Sequence, residues 1–166
     1  ELLNYELTLG YVNHKRDGDG IANQLARATF GDDDEPVEVE VLASEVATLA
    51  KIADVLNRID RQYRTTPDRT ARLRALVATS IVSHGVDIDA LNLMVMNGMT
   101  AAVADYGQAS SRSGRTHVGL VIVGLDNRRA RERSFYEYFL KYHEYLNRLI
   151  SPVPVNRFAK FAARRT

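Results

Sequence analysis

Residues 75–115 read ALVATSIVSHGVDIDALNLMVMNGMTAAVADYGQASSRSGR, and this stretch decides the fold. An apolar run over 76–78 ends in Thr79 and Ser80. A glycine-and-acid turn follows at Gly85, Val86 and Asp87, and a second apolar run over 91–96 ends in Asn97-Gly98. Runs this short and this apolar suit strands covered on both faces. A helical segment, expected over 101–113, then carries Gln108, Arg112 and Arg115 in the pattern Q-x-x-S-R-x-G-R. Two arginines three residues apart share one helix face. Beyond the ends of parallel strands, such a face is where an α/β sheet meets its ligand. Forked guanidinium groups there suit a phosphate-bearing partner.

The flanking sequence repeats the same alternation. Strands are expected over 7–12, 37–42, 73–78, 91–96 and 117–125. Helices are expected over 14–28, 45–62 with Ser44 as N-cap, 101–113, and 129–150. Loops are expected at Gly31 to Pro36 and at Thr65 to Asp68. The last helix carries Phe135, Phe139, Tyr142, Leu146 and Leu149 as one stripe, and Pro152 and Pro154 end it before a basic tail. Strand and helix in turn argue a mainly parallel sheet with helices on both faces, in one α/β domain over 1–166.

Composition narrows the class. The chain has 166 residues, 45% of them hydrophobic, and a net charge of +1. Residues 109–166 hold 12 of the 22 basic and 4 of the 21 acidic residues, leaving 10 basic and 17 acidic residues in 1–108. This asymmetry suggests a basic face for an anion, with Arg128, Arg129, Arg131 and Arg133 clustered at a helix start. No apolar run approaches the roughly 18 residues of a membrane span. The chain has no Cys and opens without Met or an apolar leader, which reads as a piece of a longer cytoplasmic protein.

Several chemistries find no support in the sequence. There is no G-x-x-x-x-G-K-[ST] loop, no D-E-x-[HD] box and no G-x-G-x-x-G after the first strand. Asp17 to Gly20 begins like a calcium loop, but Ala28 stands where the final Glu is required. His143-Glu144 begins like a zinc-protease motif, but Asn147 replaces the second ligand.

The motifs do resemble a known family. T-S-x-x-x-x-G-V-D-I, with Thr79, Ser80, Gly85 and Asp87, is similar to motif V of superfamily 2 helicases. Q-A-S-S-R-S-G-R, with Gln108, Arg112 and Arg115, is similar to their motif VI, with Ser111 where the family usually has Gly. L-T-L-G-Y-V-N-H-K-R near the start resembles motif IV. The aromatic segment from Arg131 to Tyr145 resembles the helicase of the DISARM phage-defence systems.

This resemblance implies a RecA-like three-layer fold, the second of two motor domains. It implies that ATP with Mg2+ is bound mainly by a missing N-terminal RecA-like domain, with no cofactor held tightly by this piece. By resemblance Arg112 and Arg115 are arginine fingers, Gln108 helps position the nucleotide, and Gly85 and Asp87 face it. Thr79 and Ser80 contact a DNA or RNA backbone. Implied partners are the first motor domain, nucleic acid and other defence-system proteins, with no membrane. The full-length protein would be an ATPase and this piece alone inactive. A catalytically idle RecA-like binding module is the alternative, since fold alone does not choose a function.

Overall fold

Five apolar runs pair side by side into one sheet. The structure is a computed structural model that describes residues 2–27, 29–30, 35–43, 48–65, 72–79 and 87–151. Along the chain run a 3-10 helix (Leu2–Tyr5), β1 (Thr8–Val12), α1 (Lys15–Ala26), β2 (Thr29–Phe30), β3 (Glu35–Pro36), β4 (Val39–Leu42) and α2 (Leu49–Thr65). Next come β5 (Ala75–Ala78), β6 (Leu93–Asn97), α3 (Val103–Ser110), β7 (Leu120–Gly124), α4 (Ala130–Glu137), α5 (Phe139–Glu144) and α6 (Leu146–Leu149). The main sheet has order β4-β5-β1-β6-β7 with every pair parallel. β1 lies at its centre, and β5 and β6 flank it on opposite sides.

The pleat sorts the core into two layers, because successive side chains point to opposite faces. Leu9, Tyr11, Leu76, Ala78, Met94 and Met96 pack with Ile52, Val55 and Ile59 of α2 and with Tyr106 and Ala109 of α3. Phe135, Tyr142 and Leu146 of the C-terminal helices close over the same layer. On the other face Val12 and Val77 meet Ala22 of α1. Helices thus lie on both faces, as expected. However, α1 packs mainly on β4, β5 and β1. Val95 on β6 and Leu120 and Ile122 on β7 stay 38–50% exposed. The register sets Leu93 beside Leu120 and Val95 beside Ile122, so these residues form one apolar strip.

Several expected boundaries move. The expected cap at Ser44 lies outside the described residues. In the structure Thr48 Oγ1 accepts a hydrogen bond from Lys51 N at 3.3 Å, and α2 begins at Leu49. Residues 35–36, expected in a loop, pair antiparallel with 29–30. The single helix expected over 129–150 is three short helices, separated at Tyr138 and Tyr145. Of the stripe expected to be buried, Phe135, Phe139, Tyr142 and Leu146 are half-buried and Leu149 is 44% exposed.

Gly98 lies at the carboxyl end of β6 with φ +82°, a conformation that favours glycine. A Cβ there would come within 2.8 Å of Glu132 Oε1. Glu132 is itself buried and accepts a hydrogen bond from Asp126 N at 2.6 Å. The close approach of α4 to the end of β6 therefore depends on this glycine.

Candidate functional site

The helix expected over 101–113 stops at Ser110. Ser111 has φ −68° and ψ −6°. Its Oγ donates to Gln108 O at 3.0 Å, and Ser113 Oγ donates to Ser110 O at 2.9 Å. Serines that bond back to the preceding turn compete with helix continuation. Gly114, with φ +84°, then turns the chain away. Arg112 and Arg115 therefore do not share a helix face, which corrects the reading from spacing. Ser111 has an ordinary helical backbone, so its replacement of Gly brings no strain at that position.

The turn carries both arginines to the amino edge of the sheet. Gly114 N donates to Leu91 O at 3.0 Å, and Thr116 Oγ1 donates to Asp89 O at 2.8 Å. Both acceptors precede β6. The expected position, beyond the carboxyl ends, is thus also corrected. There Arg115 Nε pairs with Asp87 Oδ1, with side chains 39% and 56% exposed. Arg112 is half-buried and Gln108 is exposed on α3. A cavity of about 730 Å³ opens beside the pair, lined by Asp60, Arg64, Asp87, Asp89, Asn92 and Thr116 among others. Arg64 pairs with Asp60 at 2.6 Å and lies 3.9 Å from Asp89.

The carboxyl edge is a separate place. Thr79 follows β5 directly and is buried, at 8% exposure. Ser80 and Gly85 lie outside the described residues. A second cavity, of about 470 Å³, is lined by Asn13, His14, Asn97, Thr100, Asp126 and Arg128 among others. The loop after β6 is held from two sides. Asn13 Nδ2 donates to Asn97 O at 3.1 Å and Met99 O at 3.3 Å. Arg131 donates to the carbonyl oxygens of Met99 at 3.2 Å, Ala101 at 3.3 Å and Thr100.

Each arginine of the cluster expected to meet an anion has a partner within the domain. Arg128 forms a two-pronged pair with Asp126, Nε to Oδ1 at 2.9 Å and Nη2 to Oδ2 at 3.0 Å. The Arg128 side-chain hydrogen bonds, and then its backbone N–H, hold the Asp126 carboxyl down to about 2. Arg129 lies 3.6 Å from both Asp126 and Glu132, and Arg133 lies 3.9 Å from Glu137. Burial pushes the phenols of Tyr11, Tyr106 and Tyr142 above the ordinary tyrosine range.

Reading the sequence located Asp87 and Arg115, and the structure brings them together. It missed Arg64, Asp89 and Thr116 around the larger cavity, since nothing in their local sequence marks them. Among the described residues, no group of three or more His, Asp or Glu side chains is arranged to hold a metal ion. Guanidinium groups such as the exposed one of Arg115 and the half-buried one of Arg112 can bind an oxyanion through two parallel hydrogen bonds. No described helix is long and apolar enough to cross a membrane.

Comparison with other proteins bears on the family and the fold. The family described as helicase conserved C-terminal domain matches residues 35–117, half of the chain. The DISARM protein DrmA of Bacillus paralicheniformis is 32% identical over 116 residues, which is 70% of this chain and 10% of that protein. The chain thus spans about a tenth of that relative's length. Among solved structures, the Hef helicase domain of Pyrococcus furiosus superposes with TM-score 0.53 at 18% identity, covering 81% of this chain and 24% of that one. The C-terminal part of the Fun30 ATPase domain superposes with TM-score 0.58 at 12% identity, covering 93% of this chain and 43% of that one. These structural likenesses carry the fold alone.

Proposed function

Because the chain belongs to the helicase conserved C-terminal domain family, we propose that it is the second motor domain of an ATP-dependent helicase or translocase. The observation that carries this reading is the pairing of Asp87 with Arg115. It joins the segment before β6 to the loop after α3, the two stretches that resemble motifs V and VI. The edge so formed presents guanidinium groups that a facing domain could use.

On this reading a first RecA-like domain of the same protein binds ATP with Mg2+. ATP hydrolysis develops charge on the transferred phosphoryl group, and a placed guanidinium stabilises that charge. Arg112 and Arg115 supply the guanidinium groups, Gln108 and Asp87 face the nucleotide, and Gly85 has that role by resemblance alone. Thr79, at the other edge, contacts the backbone of DNA or RNA, and so does Ser80 by resemblance. The likeness to DrmA, a DISARM protein, supports a role in anti-phage defence with other proteins of such a system.

The test is nucleic-acid-stimulated ATP turnover by the full-length protein. Arginine fingers are worth roughly 10³–10⁵ in turnover in other nucleotide hydrolases. Arg112→Ala and Arg115→Ala are each expected to reduce turnover by about a hundredfold or more, with nucleic-acid affinity nearly unchanged. Lys should restore little, because it lacks the planar fork. Near-normal turnover in both alanine variants would overturn the assignment.

A further inference from the structure

The arginine loop hangs on a short helix with few anchors of its own. α3 buries only Tyr106 and Ala109 and has no side-chain cap at its start. Besides the sheet, further fixed points come from the chain after β7, beyond the stretch that matches the family. In α4, Arg131 donates to the carbonyl oxygens of Met99, Thr100 and Ala101, in the loop that leads into α3. The Arg131 guanidinium also lies 4.9 Å from the centre of the Phe135 ring, which fixes its direction.

In α5, His143 reaches the middle of α3. Its Nδ1 lies 2.8 Å from Phe139 O, and its Nε2 lies 2.8 Å from the Tyr106 hydroxyl. A carbonyl oxygen only accepts, so Nδ1 carries the proton. In the neutral ring Nε2 then accepts, and the Tyr106 hydroxyl donates. The rings support the bond. Tyr106 meets His143 edge-on at 5.5 Å and Tyr142 at 6.2 Å, and Tyr142 meets Phe135 at 4.8 Å. Burial of Tyr106 at 6% exposure keeps water from replacing the contact.

We propose that Arg131 and His143 are positioning residues for the arginine loop, gripping α3 at its entry and at its middle. Gln108 lies two residues past Tyr106, and Arg112 follows the end of the helix, so movement of α3 moves both. This inference rests on the reading of Arg112 and Arg115 as groups that act on a nucleotide phosphate. Displacing such a group by about 1 Å can cost about a hundredfold in rate.

Two measurements on the full-length protein test it: amide hydrogen exchange, and nucleic-acid-stimulated ATP turnover. In His143→Ala, exchange across 103–115 is expected to rise about tenfold or more, with β1 and β5 unchanged, since one buried hydrogen bond and its ring contacts are lost. kcat should fall by at least about tenfold while KM for ATP holds, because the loss lies in placement rather than in binding. His143→Gln, whose side-chain oxygen can accept from Tyr106, should recover most of both effects. Arg131→Ala should loosen 97–105 in the same local way. Unchanged exchange across 103–115, a rise spread over the whole domain, or a Gln variant no better than Ala would overturn the proposal. If the parent protein turned over no ATP, the motor reading would fall, while the exchange pattern would still decide whether the grip exists.

Discussion

Arg115 Nε pairs with Asp87 Oδ1 at the amino edge of β6, and both side chains remain partly open to solvent. The pair is made by two loops rather than by one helix. Asp87 precedes β6, and Arg115 emerges from the turn that Gly114 makes after α3. An exposed ion pair contributes little to folding, about 0–1 kcal/mol. Asp87 therefore holds Arg115 in place without binding it so tightly that it could not turn to another anion.

The first prediction separates these two roles. A double-mutant cycle with Asp87→Ala and Arg115→Ala should show a folding coupling of no more than about 1 kcal/mol by denaturant titration. In ATP turnover of the full-length protein the two changes should be strongly non-additive, as expected of groups that act together. Simple additivity in turnover would mean that the pair has no shared task.

The second concerns Gly114. At φ +84° an added Cβ would sit 2.6 Å from Gly119 N and 3.2 Å from His117 O, both backbone atoms. Gly114→Ala should cost about 1–3 kcal/mol, from left-handed strain plus this clash. It should also shift the amide resonances of 112–119 while leaving α1 and β4 alone. A variant as stable as the parent would show that the turn is not as tight as described.

The third follows from Asp126. Its carboxyl ionises near 2 in the folded chain, against 3.8 for an unperturbed Asp, because the Arg128 hydrogen bonds favour the charged form. The sign follows from linkage. A depressed carboxyl stabilises the fold fully above the unfolded value and stops doing so as pH falls through about 2. Asp126→Asn should therefore flatten the fall in stability between about pH 4 and pH 2, and leave the slope near neutrality unchanged. A carboxyl resonance of Asp126 that titrated near 4 would contradict the pair.

The fourth is that the 166-residue chain alone turns over no ATP. It has guanidinium groups for a phosphate but no G-x-x-x-x-G-K-[ST] loop to cradle one. Turnover above a blank that disappears in Arg115→Ala would show that the chain is a complete catalyst.

The alternation of strand and helix was legible because β5 is wholly apolar and β6 is apolar up to Asn97. Leu76 and Val77 are fully buried with nothing polar between them, and Met94 and Met96 point into one layer. Helix ends were less legible. Ser111 and Ser113 stop α3 by bonding back to it, and serine alone does not announce which of its options it takes. The breaks at Tyr138 and Tyr145 involve neither glycine nor proline, so no local signal marks them. The partners of Arg128 and Arg129 were not legible because pattern reading counts charges without seeing what they meet. Asp126, two residues before Arg128, was the clue that they are paired. Arg115 and Asp87 could be matched from sequence only through resemblance. Their meeting depends on β6 and β7 being neighbours, which local pattern does not encode.

The strip of Val95, Leu120 and Ile122 bears on how this chain behaves in a test tube. Two strands side by side give it a width of about 10 Å, and among the described residues β7 forms one edge of the sheet. Apolar side chains next to an open row of backbone donors and acceptors make a surface that wets poorly and adheres to its own kind. Preparations of the separate chain will therefore have a colloidal limit set by this strip rather than by the near-neutral net charge. Adding salting-out ions will lower that limit, since such ions strengthen apolar association. A lysine at position 122 would raise it without touching either edge where Thr79 and Arg115 stand.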